Sequence, residues 1–225
     1  QHHPMPVRTD GEAANPGPDL GTTSLVANNC TSLTTQLENV LKTQWDIIAC
    51  SEVRLSTVGQ RQLDQRLAEK GYTAIWGAPK IRKRFASRIS PGGVGVLLKA
   101  PLKGKQVLPR SELGKKFWDA GRLMQVAVPV QGGCIHVILV YGFPNAHTDR
   151  NQREANEELL NEAFRWASEL GNVACYVLGD FNTTVSSSIV LQSALKHAGY
   201  TDLATVQDAE PNRTCCQRER SRGSR

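Results

Sequence analysis

A chain of 225 residues with 40% hydrophobic and 21% charged residues has the composition of a globular domain, which excludes an intrinsically disordered chain. No apolar run approaches the roughly 20 residues of a membrane-spanning helix, so no membrane partner is expected. The formal net charge of +6 lies in two clusters: Lys80, Arg82, Lys83, Arg84 and Arg88 within residues 80 to 88, and five arginines against Glu219 in residues 213 to 225. Such clusters attract polyanions, nucleic acid among them.

Residues 1 to 20, with Pro4, Pro6, Pro16 and Pro18 and few apolar groups, read as a disordered lead-in without a signal-peptide pattern. An intracellular location, nuclear or cytoplasmic, is expected. A folded domain is expected over 21 to 207 and a basic tail over 208 to 225. Thr22 to Asn28 reads as a strand. Ser32 to Thr43 places Leu33, Leu37, Val40 and Leu41 at helical spacing. Asp46 to Cys50 is a buried-strand run. Val58 to Lys70 is a helix stopped by Gly71. Tyr72 to Trp76 and Gly93 to Lys99 read as strands. Arg122 to Val130 and Cys134 to Tyr141 flank Gln131-Gly132-Gly133 and read as a hairpin.

Asn151 to Leu170 is the clearest helix, with an apolar face of Ala155, Leu159, Ala163, Trp166 and Leu170. The run Val173 to Leu178 follows as a strand, breaking at Gly179. Asp180 and Asn182 are expected on the loop beyond it. A last helix is expected near Ser187 to His197. Helices alternating with buried strands predict an α/β fold in which helices cover the sheets.

The six cysteines show no C-x-x-C pair and no zinc spacing, and read as small buried hydrophobes. Of the histidines, only His147 lies near an informative loop. The strand exits carry more. The first strand leaves at Asn28-Asn29, the second at Ser51-Glu52, the hairpin at Tyr141 with Pro144-Asn145 after it, and the strand beyond the long helix at Asp180 and Asn182. A carboxylate such as Glu52 suits Mg²⁺, which takes oxygen ligands and keeps several waters. An amide orients without adding charge, a tyrosine hydroxyl donates to a phosphoryl oxygen, and an aspartate orients or deprotonates water.

The segments Asn29 to Leu33, Asp46 to Leu55, Gly93 to Leu98, Tyr141 to Asn145 and Leu178-Gly179-Asp180-Phe181-Asn182 together resemble the endonuclease/exonuclease/phosphatase superfamily, the deoxyribonuclease I-like fold. In style they are similar to the endonuclease domains of non-LTR retrotransposons. The resemblance covers residues 21 to 205. It implies a four-layer sandwich of two packed mixed β-sheets with outer helices. It also implies Mg²⁺-dependent (or Mn²⁺-dependent) endonucleolytic hydrolysis of nucleic acid, DNA ahead of RNA. Glu52 falls on the metal ligand, with Asn29 beside it. Tyr141, Asp180 and Asn182 fall on catalytic positions, and Asn145 on a phosphate contact. Thr31 stands where related nucleases often carry an aspartate. The family's closing Arg-Ile-Asp and Ser-Asp-His elements are absent before Arg225, so a C-terminally incomplete domain with its last strands missing is expected. Two other readings share these residues: a phosphatase acting on another phosphoester such as a phosphoinositide, and an inactive domain that at most binds nucleic acid.

Overall fold

The computed structural model describes residues 23–78 and 92–203. The elements in chain order are β1 (Leu25–Asn29), α1 (Leu33–Leu41), β2 (Ile47–Ser51), α2 (Thr57–Glu69), β3 (Tyr72–Trp76), β4 (Val94–Lys99), β5 (Lys105–Val107), α3 (Glu112–Asp119), β6 (Leu123–Val130), β7 (Gly133–Tyr141), α4 (Arg150–Glu169), β8 (Ala174–Asp180) and α5 (Ile189–His197), with a 3₁₀ turn over Val185–Ser187. The basic stretch 80–88, the lead-in and the tail lie outside the described residues.

Two four-stranded sheets form, ordered β1-β2-β4-β3 and β5-β6-β7-β8. Both are mixed. β1 and β2 are parallel across helix α1, and β7 and β8 are parallel across helix α4, while the other pairings are antiparallel. Each parallel pair needs a helical crossover, because its strands run the same way.

The period-2 alternation of the strands builds three apolar layers. On β2, Ile47 and Ala49, with Val96 and Leu98 of β4, face the second sheet, where they meet Met124, Val126, Val137, Leu139 and Tyr141. Ile48 and Cys50 face the other way, onto Leu33, Leu37, Leu63 and Leu67 of α1 and α2. On β7, Ile138 and Val140 face Phe117 of α3 and Leu159, Leu160, Ala163 and Trp166 of α4. The order is helices, sheet, sheet, helices: the expected four-layer α/β sandwich.

Several expectations shift. The segment between Lys99 and Arg122 holds a short strand, β5, and a helix, α3. The buried side of α4 includes Asn156 and Glu162 as well as Leu159, Leu160, Ala163, Trp166 and Ala167, whereas Ala155 and Leu170 are only half-buried. Among the described cysteines, Cys30 and Cys50 are buried but Cys134 and Cys175 are only partly so. Cys30 and Cys50 are neighbours. A hydrogen bond with Cys30, together with burial, pushes the Cys50 thiol well above its ordinary pKa.

Candidate active site at the strand ends

Both βαβ units deliver their strands' carboxyl ends to one side of the molecule. Asn29 ends β1, Ser51-Glu52 ends β2, Tyr141 ends β7 and Asp180 ends β8. Carboxyl ends of parallel strands are the usual place for a ligand site in open α/β sheets. One hydrogen bond ties the two sheets there: Asn29 Nδ2 donates to Asp180 Oδ2 at 2.5 Å, across 151 residues of sequence.

Asp180 is the last residue of β8, paired with Tyr141, rather than a loop residue. The strand runs on because Gly179 keeps pairing with Val140 at a φ of 131°. A Cβ at position 179 would stand 1.9 Å from the Val140 carbonyl oxygen, so only glycine carries the strand this far. The Asp180 carboxylate then turns back on the chain: its Oδ1 accepts from the Asn182 N–H at 3.2 Å. Burial raises the Asp180 pKa above the usual carboxylate value and the negative charge of Glu52 adds to this. The bonds from Asn182 and Asn29 oppose it.

Tyr141 is buried, at 2% exposure, on the face of β7 between the sheets. Burial first, and the charge of Glu52 second, push its phenol up to about 12. Its hydroxyl therefore remains a proton donor at neutral pH. Glu52 makes an ion pair with Arg54 through Oε1, and its side chain is 13% exposed. Thr31, Glu52, Arg54 and Asn182 all hold a positive φ, an uncommon state for residues with a side chain. Strain of this kind costs about 1–3 kcal/mol per residue and gathers at functional sites.

The Asn182 side chain is engaged elsewhere: its Nδ2 donates to the Gly142 carbonyl at 3.1 Å. Asn145 is exposed, and its backbone opens a turn into α4, with the Asn145 carbonyl accepting from Thr148 and Asp149. No hydrogen bond joins its side chain to Asn29, Glu52, Tyr141 or Asp180 among the described residues. Two contributors escaped the sequence reading. Buried Asn156 accepts from the Phe143 N–H at 2.9 Å and donates to the Phe181 carbonyl at 3.0 Å, clamping the loops after β7 and β8 together. Arg122 lies under Tyr141 and Phe143. A polar residue on the core side of a long amphipathic helix was the available signal for Asn156.

An open groove of about 1460 Å³ adjoins this point, lined among others by Asn29, His147, Arg153, Asp180, Asn182 and Tyr200. No described helix is long and apolar enough to cross a membrane.

No family model matches the chain, and no curated protein matches it in sequence. Solved structures do match in shape. The human Nocturnin catalytic domain aligns with a TM-score of 0.60 and 15% identity, over 84% of this chain and 74% of that one. An AP endonuclease from Archaeoglobus fulgidus aligns with a TM-score of 0.52 and 19% identity, over 72% of this chain and 58% of that one. The fold is the deoxyribonuclease I-like sandwich. D. rerio TDP2 complexed with a single-strand DNA product aligns with a TM-score of 0.51 and 13% identity, over 76% of this chain and 64% of that one. The chain thus spans less than two thirds of the length of the A. fulgidus and D. rerio proteins.

Proposed function

We propose that this chain hydrolyses phosphodiester bonds of nucleic acid in a divalent-metal-dependent reaction of the endonuclease type, in the manner of retroelement nuclease domains. The observation that carries this reading is the convergence of Asn29, Glu52, Tyr141 and Asp180 from four strand ends of two sheets, closed by the Asn29–Asp180 hydrogen bond. An endonuclease and a protein bound to a single-strand DNA product share the fold, which supports the same class of chemistry.

The donor set fits Mg²⁺ better than a metal that needs a full protein cage. No group of three or more His, Cys, Asp and Glu side chains gathers among the described residues, and Mg²⁺ commonly takes only one or two carboxylates beside water and phosphate. Glu52 would hold it, with Asn29 beside it. When bound it would neutralise charge developing on the phosphoryl oxygens. The Tyr141 hydroxyl donates a hydrogen bond to a phosphoryl oxygen and keeps its proton. Asp180, made more basic by burial, accepts the proton of an attacking water as the new P–O bond forms and the old one breaks. The departing oxygen takes its proton from solvent. Asn182 fixes the Asp180 carboxylate through its N–H, and exposed Asn145 would contact flanking phosphate. DNA is the expected substrate.

Incubation of supercoiled plasmid with the purified protein, with Mg²⁺ or with EDTA, tests this. Nicking that requires Mg²⁺ and falls about a hundredfold or more in Glu52→Gln is expected. Nicking that persists in EDTA, or is unchanged in Glu52→Gln, rejects the assignment.

A further inference from the structure

Arg122 has no part in the chemistry above, yet it is built into the backbone that carries Tyr141. It immediately precedes β6 and is only partly accessible; burial lowers its pKa, and it forms no ion pair among the described residues. A half-buried guanidinium without an acid is costly unless its N–H groups are used. Here Nη1 donates to the Tyr141 carbonyl at 3.0 Å and to the Gly142 carbonyl at 2.8 Å. The guanidinium carbon lies 3.9 Å from the Phe143 ring centroid and 5.2 Å from that of Tyr141. The Arg122 carbonyl in turn accepts from the Tyr141 N–H at 2.8 Å.

The Gly142 peptide is the junction. Its carbonyl takes both Arg122 and the Asn182 side chain, while its N–H donates to the Asp180 carbonyl at 2.7 Å. A planar fork with several fixed donors can hold two successive carbonyls and still stack on rings, which an ammonium cannot do as well.

We propose that Arg122 is a positioning residue: it holds the Tyr141-Gly142 peptides so that the Tyr141 hydroxyl, the Asn182 backbone and the Asp180 carboxylate keep one mutual geometry. This role rests on the phosphodiesterase reading. Arg122 touches no reacting atom. It acts through the two carbonyls. A mispositioning of about 1 Å costs on the order of a hundredfold in rate, so a loss seated in catalysis rather than binding is expected.

The experiment measures kcat, KM and melting temperature for the wild type, Arg122→Gln, Arg122→Lys and Phe143→Leu on one DNA substrate. The expected result is that Arg122→Gln lowers kcat at least about tenfold with KM changed less than about threefold, and that Arg122→Lys recovers part of the loss. Phe143→Leu, which removes the ring beneath the cation and leaves the charge, lowers kcat in the same sense by less. If Arg122→Gln does not fold, Arg122→Lys and Phe143→Leu decide: kcat at the wild-type value in both overturns the role. A folded Arg122→Gln with unchanged kcat, or with a loss in KM alone, also overturns it while leaving the phosphodiesterase reading intact. A wild-type protein that cleaves no phosphodiester overturns that reading, and this role with it.

Discussion

Gly179 shows how much one missing Cβ decides. With its φ of 131° and the Val140 carbonyl only 1.9 Å from where a Cβ would stand, it lets β8 stay paired one residue further and delivers Asp180 opposite Tyr141. Gly179→Ala is expected to lower stability by about 3 kcal/mol, read as an earlier urea midpoint, with loss of whatever activity the wild type shows. An alanine variant of wild-type stability would mean that the strand end can relax without harm. Asn29, Glu52, Tyr141 and Asp180 were legible in the sequence because each is a polar group at the close of an apolar run. Asn156 and Arg122 were not. Their polar atoms are spent on backbone carbonyls and N–H groups from other elements, and no local pattern announces such partners.

Among the elements, α3 went unread because it is short and contains a glycine, and its apolar content near the core comes to little more than Leu113 and Phe117. What fixes it is tertiary. Ser111 caps it by accepting from the Gly114 N–H at 2.9 Å, and the same hydroxyl donates to buried Glu162 of α4. Glu162 also accepts from Trp166 Nε1 at 2.8 Å and pairs with Arg165. The bonds from Arg165, ahead of those from Ser111 and Trp166, hold the Glu162 carboxyl below its ordinary value near 4.5. Its stabilisation is therefore complete above that value and is lost as pH falls through the depressed folded value. Glu162→Gln is expected to cost about 1–2 kcal/mol at pH 7, with the gap to wild type closing below pH 4.5. Denaturant melts at both pH values check this, and a gap that does not change with pH contradicts it. The three-residue strand β5 went unread as well, and the remaining helices and strands were legible to within a few residues, since α1, α4 and the central strands carry strong periodicity and long apolar runs.

At the scale of the whole molecule, two βαβ units in separate sheets bring their carboxyl ends together, an arrangement that the polar strand exits and the resemblance pointed to and that the strand order makes explicit. The sequence also carries five positive charges over residues 80 to 88. Neutralising Lys80, Arg82, Lys83, Arg84 and Arg88 is expected to flatten the slope of log K against log[salt] for DNA binding by up to about 0.9 for each phosphate that the protein no longer neutralises. Anisotropy titrations at several salt concentrations measure it, and an unchanged slope would place DNA contact elsewhere. The central claim is that strand ends from both sheets make one hydrolytic site. A double-mutant cycle on phosphodiester cleavage tests it, using Asn29→Ala, Asp180→Asn and the pair. The account predicts non-additive losses, each single variant falling nearly as far as the double, because the two side chains act through one hydrogen-bonded unit. Losses that simply add, or a single variant at the wild-type rate, would contradict it.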